Sequence, residues 1–193
     1  LKEYLRLIRH PPFWKYAIPL SCVFGGFFAF VTNGPLLFIN DIGIRTEHYG
    51  WYFGGLILSY VGGSLVASRL AELVDPEVLV LVAVIFPGVG LLPIWIFGAT
   101  GLWLAGGIVL GMSFHMIGLG LLFAVGPIRL LDESQVVSAG IASAFLGTCQ
   151  LGAASLAGIA VGALYNHSAG ALILTISVFS IGSLIGFFSL RNS

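Results

Sequence analysis

The chain has 193 residues, 58% of them hydrophobic and only 8% charged, and its formal net charge is zero. An ordinary soluble domain carries roughly 25% charged residues, and a soluble fold of this size cannot hide so much apolar surface. The solvent is therefore expected to be a lipid bilayer, and the lack of any basic block argues against a nucleic-acid partner.

The opening stretch "LKEYLRLIRHPPFWK" is mixed in charge and has no secretory signal pattern. Residues 1–12 read as a cytoplasmic segment. Leu1, in place of Met, is what a stretch inside a longer chain or a processed chain would show. The charged residues then fall in tight clusters, and the gaps between clusters are long enough to cross roughly 30 Å of hydrocarbon. The first gap gives a span over 13–39 and the second a span over 49–68. Residues 78–128 carry no Asp, Glu, Lys or Arg; as one helix they would run about 76 Å. The run must fold back, and "FGATG" at 97–101 is the expected turn, leaving spans over 78–97 and 101–126. "YNHSAG" at 165–170 divides the last apolar run into spans over 135–164 and 169–190, with 191–193 as a tail. The reading is an all-α membrane protein with six transmembrane helices.

Six spans put both termini on one side. Lys2, Arg6, Arg9, Lys15, Arg69, Arg129 and Arg191 fall on that side and only Arg45 on the other. The positive-inside rule then makes both termini cytoplasmic, in a cell inner membrane. Trp14, Trp51, Trp95, Trp103 and Tyr165 fall near the expected interfaces, as aromatic belts do. Glycines at GxxxG spacing (50/54, 107/111, 158/162, 182/186) and the small-residue run from Ser138 to Gly147 suit close helix packing. Cys22 and Cys149 lie in apolar runs and read as small buried hydrophobes.

No span holds a mid-membrane Asp or Glu, and there is no GxSG serine motif, Walker lysine motif or metal-spaced ligand cluster. An enzyme is not expected, and no cofactor is implied. The formal sequon "NHS" at 166–168 lies in a loop too short to lift an acceptor off the membrane. The informative residues are the polar ones inside spans, because such side chains face a bundle interior or a wet cavity. His115 lies mid-way along the fourth span, Gln150 mid-way along the fifth, and Asn33 about 10 Å outward of the centre of the first. Tyr60 and Ser59, mid-way along the second, read mainly as packing. His115 is either a neutral histidine bonded to a neighbouring helix or a cavity residue; Gln150 is either interhelical glue or a substrate contact. Phe30 belongs to an aromatic stripe, one side of which would wall a cavity. In "FVTNGPLLFIND" (30–41), Pro35 breaks the hydrogen-bond ladder and Gly34 allows a bend, which makes Gly34 and Pro35 candidates for an outer gate.

Three stretches carry a resemblance: "FWKYAIPLSCVFGGFFAFVTNGPLLFINDIGI", "HYGWYFGGLILSYVGGSLVASRL" and "VVSAGIASAFLGTCQLGAASLAGIAVGALY". They are similar to the seventh, eighth and eleventh helices of a major facilitator superfamily transporter, in the drug:proton antiporter branch that includes bicyclomycin and chloramphenicol resistance proteins. The third and fourth spans match in hydropathy alone. The resemblance implies the C-terminal six-helix half of that fold, a nested three-plus-three inverted repeat; this superfamily is itself a standard illustration of such repeats. It implies alternating-access transport of a small amphipathic or drug-like solute, most simply proton-coupled efflux, with Phe30, Asn33, His115 and Gln150 as substrate contacts. Residues 69–77, "RLAELVDPE", occupy the cytoplasmic gating loop of that family without its basic cluster. The acidic coupling residue of related antiporters belongs to the other half. A second six-helix half is therefore expected, in the same longer chain, in a second copy or in a separate subunit. The alternative is a six-span substrate-binding component of an energy-coupled vitamin importer.

Overall fold

A computed structural model describes residues 2–133 and 136–190. Among them every regular element is helical: α1 (Lys2–Ile8), α2 (Pro11–Pro35) continued by a π-helical turn (Leu36–Asp41), α3 (Thr46–Leu70), α4 (Pro76–Thr100), α5 (Leu104–Glu133), α6 (Ala139–Leu164) and α7 (Gly170–Leu190). Six of them, α2 with its π turn and α3 to α7, are long and apolar enough to cross a membrane. Arg191 and the rest of the expected tail lie outside the described residues.

Local chemistry sets the ends. α2 opens on Pro11 and Pro12, where the missing N–H groups have no intrahelical partner to lose. Trp14 pins α1 to that start by donating Nε1–H to the Ile8 carbonyl at 2.8 Å. α4 opens on Asp75, whose side chain accepts the Glu77 N–H at 2.7 Å, followed by Pro76. It runs through the whole of "FGAT" and stops at Gly101, whose φ of +68° is the left-handed helix stop that glycine adopts at no steric cost. α2 does not end at Pro35. Leu36 N–H bonds back to Asn33, and the chain widens until Ile42 N–H reaches Leu37 O at 2.9 Å. A π turn is one way a helix absorbs a missing donor without terminating.

The helices form two layers. The front row is α3, α5, α2, α6 in that spatial order, and α4 and α7 lie behind it, touching each other. α2 packs chiefly on α6 and α7, α5 chiefly on α3 and α4, and α2 meets α5 at the centre. Exchanging the triplet α2–α4 for α5–α7 maps each of these pairings onto another. That is the pattern of a three-plus-three repeat, and the fold is one six-helix half of a major-facilitator bundle. Glycines set the closest approaches. Gly63 lies against the Ile117 backbone, Gly90 against the Gly111 carbonyl, and Gly120 against the Tyr60 carbonyl.

The two layers differ in what they present outward. α4 exposes Val78, Ile85, Val89 and Leu92, and α7 exposes Leu174, Val178, Ile181 and Ile185. These are surfaces for hydrocarbon. The outer helices of the front row mix aliphatics with small and hydroxyl side chains, among them Gly54, Gly55 and Gly62 on α3 and Ser143, Thr148 and Ser155 on α6.

Candidate functional site

The front row carries an aromatic groove of about 150 Å3 where α2, α3 and α5 meet, lined by Phe24, Phe27, Tyr60, Met116 and Phe123 among others. The ring of Phe24 lies 4.7 Å from Phe28 and 5.7 Å from Phe123, centroid to centroid. These rings are all half-buried. Gln150 is half-buried on α6, in the same row of helices.

The structure places the other expected contacts elsewhere. His115 is fully enclosed. Its Nε2 lies 2.8 Å from the Val23 carbonyl of α2, and the close approach is possible because Gly26 has no side chain to collide with the ring. Nδ1 of His115 has no partner among the described residues. A carbonyl oxygen can only accept, so Nε2 carries the proton of this bond. Asn33 is also enclosed, and its Oδ1 has no partner among the described residues. Phe30 is wholly buried and meets Phe38 edge to face at 5.8 Å. Phe38 in turn touches Tyr49 and Tyr52 at the start of α3. A β-carbon on Gly34 would lie 2.7 Å from the Tyr49 hydroxyl, so Gly34 marks a close approach of α2 to α3. Phe30 and Gly34 thus share one aromatic cluster, and Pro35 is the residue that leads into the π turn. His115 lies deeper between α5 and α2, and Gln150 stands apart on α6.

Two features escape sequence reasoning. The Lys15 ammonium pairs with Glu77 at 3.0 Å, tying the start of α2 to the start of α4. At the opposite end, Asp41 accepts the Tyr165 hydroxyl at 2.7 Å and lies 3.3 Å from His167 Nδ1. The span count brings 39–48 and 165–170 to the same end of the bundle, and that was the one available signal. Cys22 and Cys149 are both free and half-buried, on a groove between α2, α6 and α7.

A two-layer bundle of six spans whose triplets pair alike has the architecture of a six-helix half of the facilitator fold. The comparisons with known proteins agree. The chain is 23% identical over 199 residues to a bicyclomycin resistance protein homolog of Haemophilus influenzae, covering 99% of the chain and 48% of that protein. It is 28% identical over 192 residues to an uncharacterized MFS-type transporter, YdgK, of Bacillus subtilis, covering 96% of the chain and 46% of that protein. No family model matches. The chain spans about half the length of these relatives, and its resemblance is to the major facilitator superfamily, on the drug-resistance side. Neither relative supports the vitamin-importer alternative.

Proposed function

We propose that the chain is half of a transporter that moves a small amphipathic or drug-like solute across a cell inner membrane by alternating access, as proton-coupled efflux. The observation that carries this reading is that relatives matching the chain from end to end are twice its length. The front row, with its aromatic groove and its small and hydroxyl side chains, is the surface that would face a second six-helix half. That half would come from the same longer chain, a second copy or a separate subunit. Both termini would be cytoplasmic.

In this reading the Phe24–Phe27–Tyr60–Phe123 groove and Gln150 meet the solute directly: rings for its apolar body, the amide for its polar groups. Phe30, Asn33 and His115 are enclosed, so they meet solute when α2 swings away from α5 during the access cycle. Gly34, Pro35 and the π turn serve as the outer gate. No span of this chain offers a mid-membrane carboxylate, so the proton-coupling acid belongs to the partner half. While α2 and α5 are packed together, the hydrogen bond of His115 to Val23 holds the two helices in register.

Drug accumulation is the test, in cells expressing the chain alone and together with the complementary half of the H. influenzae relative, with and without a protonophore. Efflux that the protonophore abolishes, and that Gln150→Ala and Phe24→Ala each reduce at unchanged expression, is the expected result. Wild-type efflux in both variants would remove the assignment of this face.

A further inference from the structure

At the end of the bundle away from the chain ends, a second cleft opens behind the front row, between the π turn, the α4–α5 turn and the start of α7. Its volume is about 580 Å3, inside the ~300–1,000 Å3 range of small-molecule sites. Its walls are largely apolar, lined by Leu37, Ile42, Leu104 and Ile173 together with Trp95. Trp95 is anchored by donating Nε1–H to Ser177 Oγ at 2.9 Å.

One carboxylate lines this cleft. The Asp41 side chain is 12% exposed, and its charge has no Lys or Arg partner among the described residues. The nearby Arg45 is engaged with Glu47 at 2.7 Å. The Tyr165 hydroxyl donates to Asp41 Oδ2 at 2.7 Å, and that bond pushes the phenol pKa up, so it stays a neutral donor. His167 Nδ1 faces Oδ1 at 3.3 Å from an 82% exposed side chain. A left-handed backbone, φ +59°, holds its ring 5.0 Å from that of Tyr165. α4, α5 and α7 bring no titratable side chain to the cleft. The first amide of α7, Gly170 N–H, is taken by Ser168 Oγ at 3.2 Å. A carboxylate mostly withdrawn from water on an apolar wall is stabilised by a cation. Histidine supplies one only when protonated.

We propose that this cleft binds an amphiphile with an ammonium head, the head on Asp41 and the apolar tail along Leu104 and Ile173, and that a proton on His167 competes with it. The pairing is one charge for one charge. With His167 neutral, the site carries a net negative charge and takes the ammonium; with His167 protonated, Asp41 is already satisfied. The site draws on the π turn and the start of α5 as well as on α4 and α7, and its binding test does not depend on the transport reading. An aminated lipid head and a free alkylammonium share this chemistry.

Native mass spectrometry of the full chain released from maltoside micelles separates the two sources. One arm is doped with phosphatidylethanolamine, one with phosphatidylglycerol as the anionic control, and one with decylammonium. The expected result at pH 8 is one bound phosphatidylethanolamine or decylammonium, with phosphatidylglycerol not enriched. Asp41→Asn and the cleft-filling Ile173→Trp each cut retention at least tenfold, with unchanged thermal unfolding as the control for the fold. Retention by the wild type falls at pH 5.5, and His167→Ala holds it level between the two pH values. Retention in the phosphatidylethanolamine arm names a lipid, and retention in the decylammonium arm alone names a soluble amphiphile. No retention in either arm, equal retention of phosphatidylglycerol, indifference to both cleft variants, or stronger binding at pH 5.5 would each overturn the site.

Discussion

Glycine illustrates how much one residue's surroundings decide. Sequence spacing marks Gly50/Gly54 and Gly107/Gly111 as equivalent pairs, yet a β-carbon on Gly50 or Gly54 meets open space while Gly111 lies against the Gly90 carbonyl. A β-carbon on Gly118, outside any GxxxG pair, would lie 2.7 Å from the Ala83 carbonyl oxygen and 2.6 Å from Pro87 Cδ. Backbone and a proline ring cannot step aside. Gly118→Ala is expected to cost about 1–3 kcal/mol by overpacking, and Gly54→Ala to stay within about 0.5 kcal/mol of wild type; thermal unfolding in maltoside measures both. The interior amide of Asn33 makes the converse case. Its Oδ1 is enclosed without a partner among the described residues, so Asn33→Leu removes an unsatisfied group and should leave stability unchanged or raise it. If the side chain meets solute during transport, efflux by that variant falls while stability does not. A loss of stability would show that the amide is structural. Sequence alone marked Asn33 and His115 as interior polar residues because depth in a span is readable. The partner of His115 was not readable, because it is a main-chain carbonyl, Val23 O, and any residue supplies one.

At the scale of elements, the six helices were legible because charge is excluded from hydrocarbon and clusters only where the chain turns. What spacing could not show is how α2 treats Pro35. The residue lacks a donor, and the helix responds by widening over Leu36–Asp41, not by stopping. That widening carries Asp41 toward Tyr165, 124 positions away in sequence; no local pattern announces a pairing so distant. The other end of α2 is tied by Lys15 to Glu77, with side chains 14% and 35% exposed. Water at the carboxylate screens the pair, so its coupling belongs near the ordinary surface value. A double-mutant cycle with Lys15→Ala and Glu77→Ala is expected to return about 0.5–1 kcal/mol. A coupling near zero would mean the two helix starts are held by packing alone.

For the whole molecule, the two layers make opposite demands on the medium. α7 turns branched aliphatics outward, and Ile181, near its middle, is 47% exposed. A lysine there would stand in hydrocarbon, so Ile181→Lys is expected to cost about 2.5–3.5 kcal/mol of insertion free energy. Thr148, exposed on α6 in the front row, faces the proposed partner half and its wet cavity. Thr148→Lys should insert at near wild-type level and act on transport instead. Insertion efficiency in a glycosylation-reporter assay reads the first, and drug accumulation the second. Equal insertion defects in the two variants would place both rows against lipid.

The exchange symmetry of the bundle also fixes an order of events at the ribosome. α2 is made well before α6 and α7, the two helices it packs on most. Until they arrive, the face of α2 that carries Ser21 and Gly25 lacks the neighbours it has in the finished fold. The early triplet cannot close on itself, since α2 and α4 barely touch, and long-range pairing of this kind folds slowly. A nascent chain halted after α4 is thus the protein's most vulnerable form, and membrane quality control should clear it faster than the finished chain.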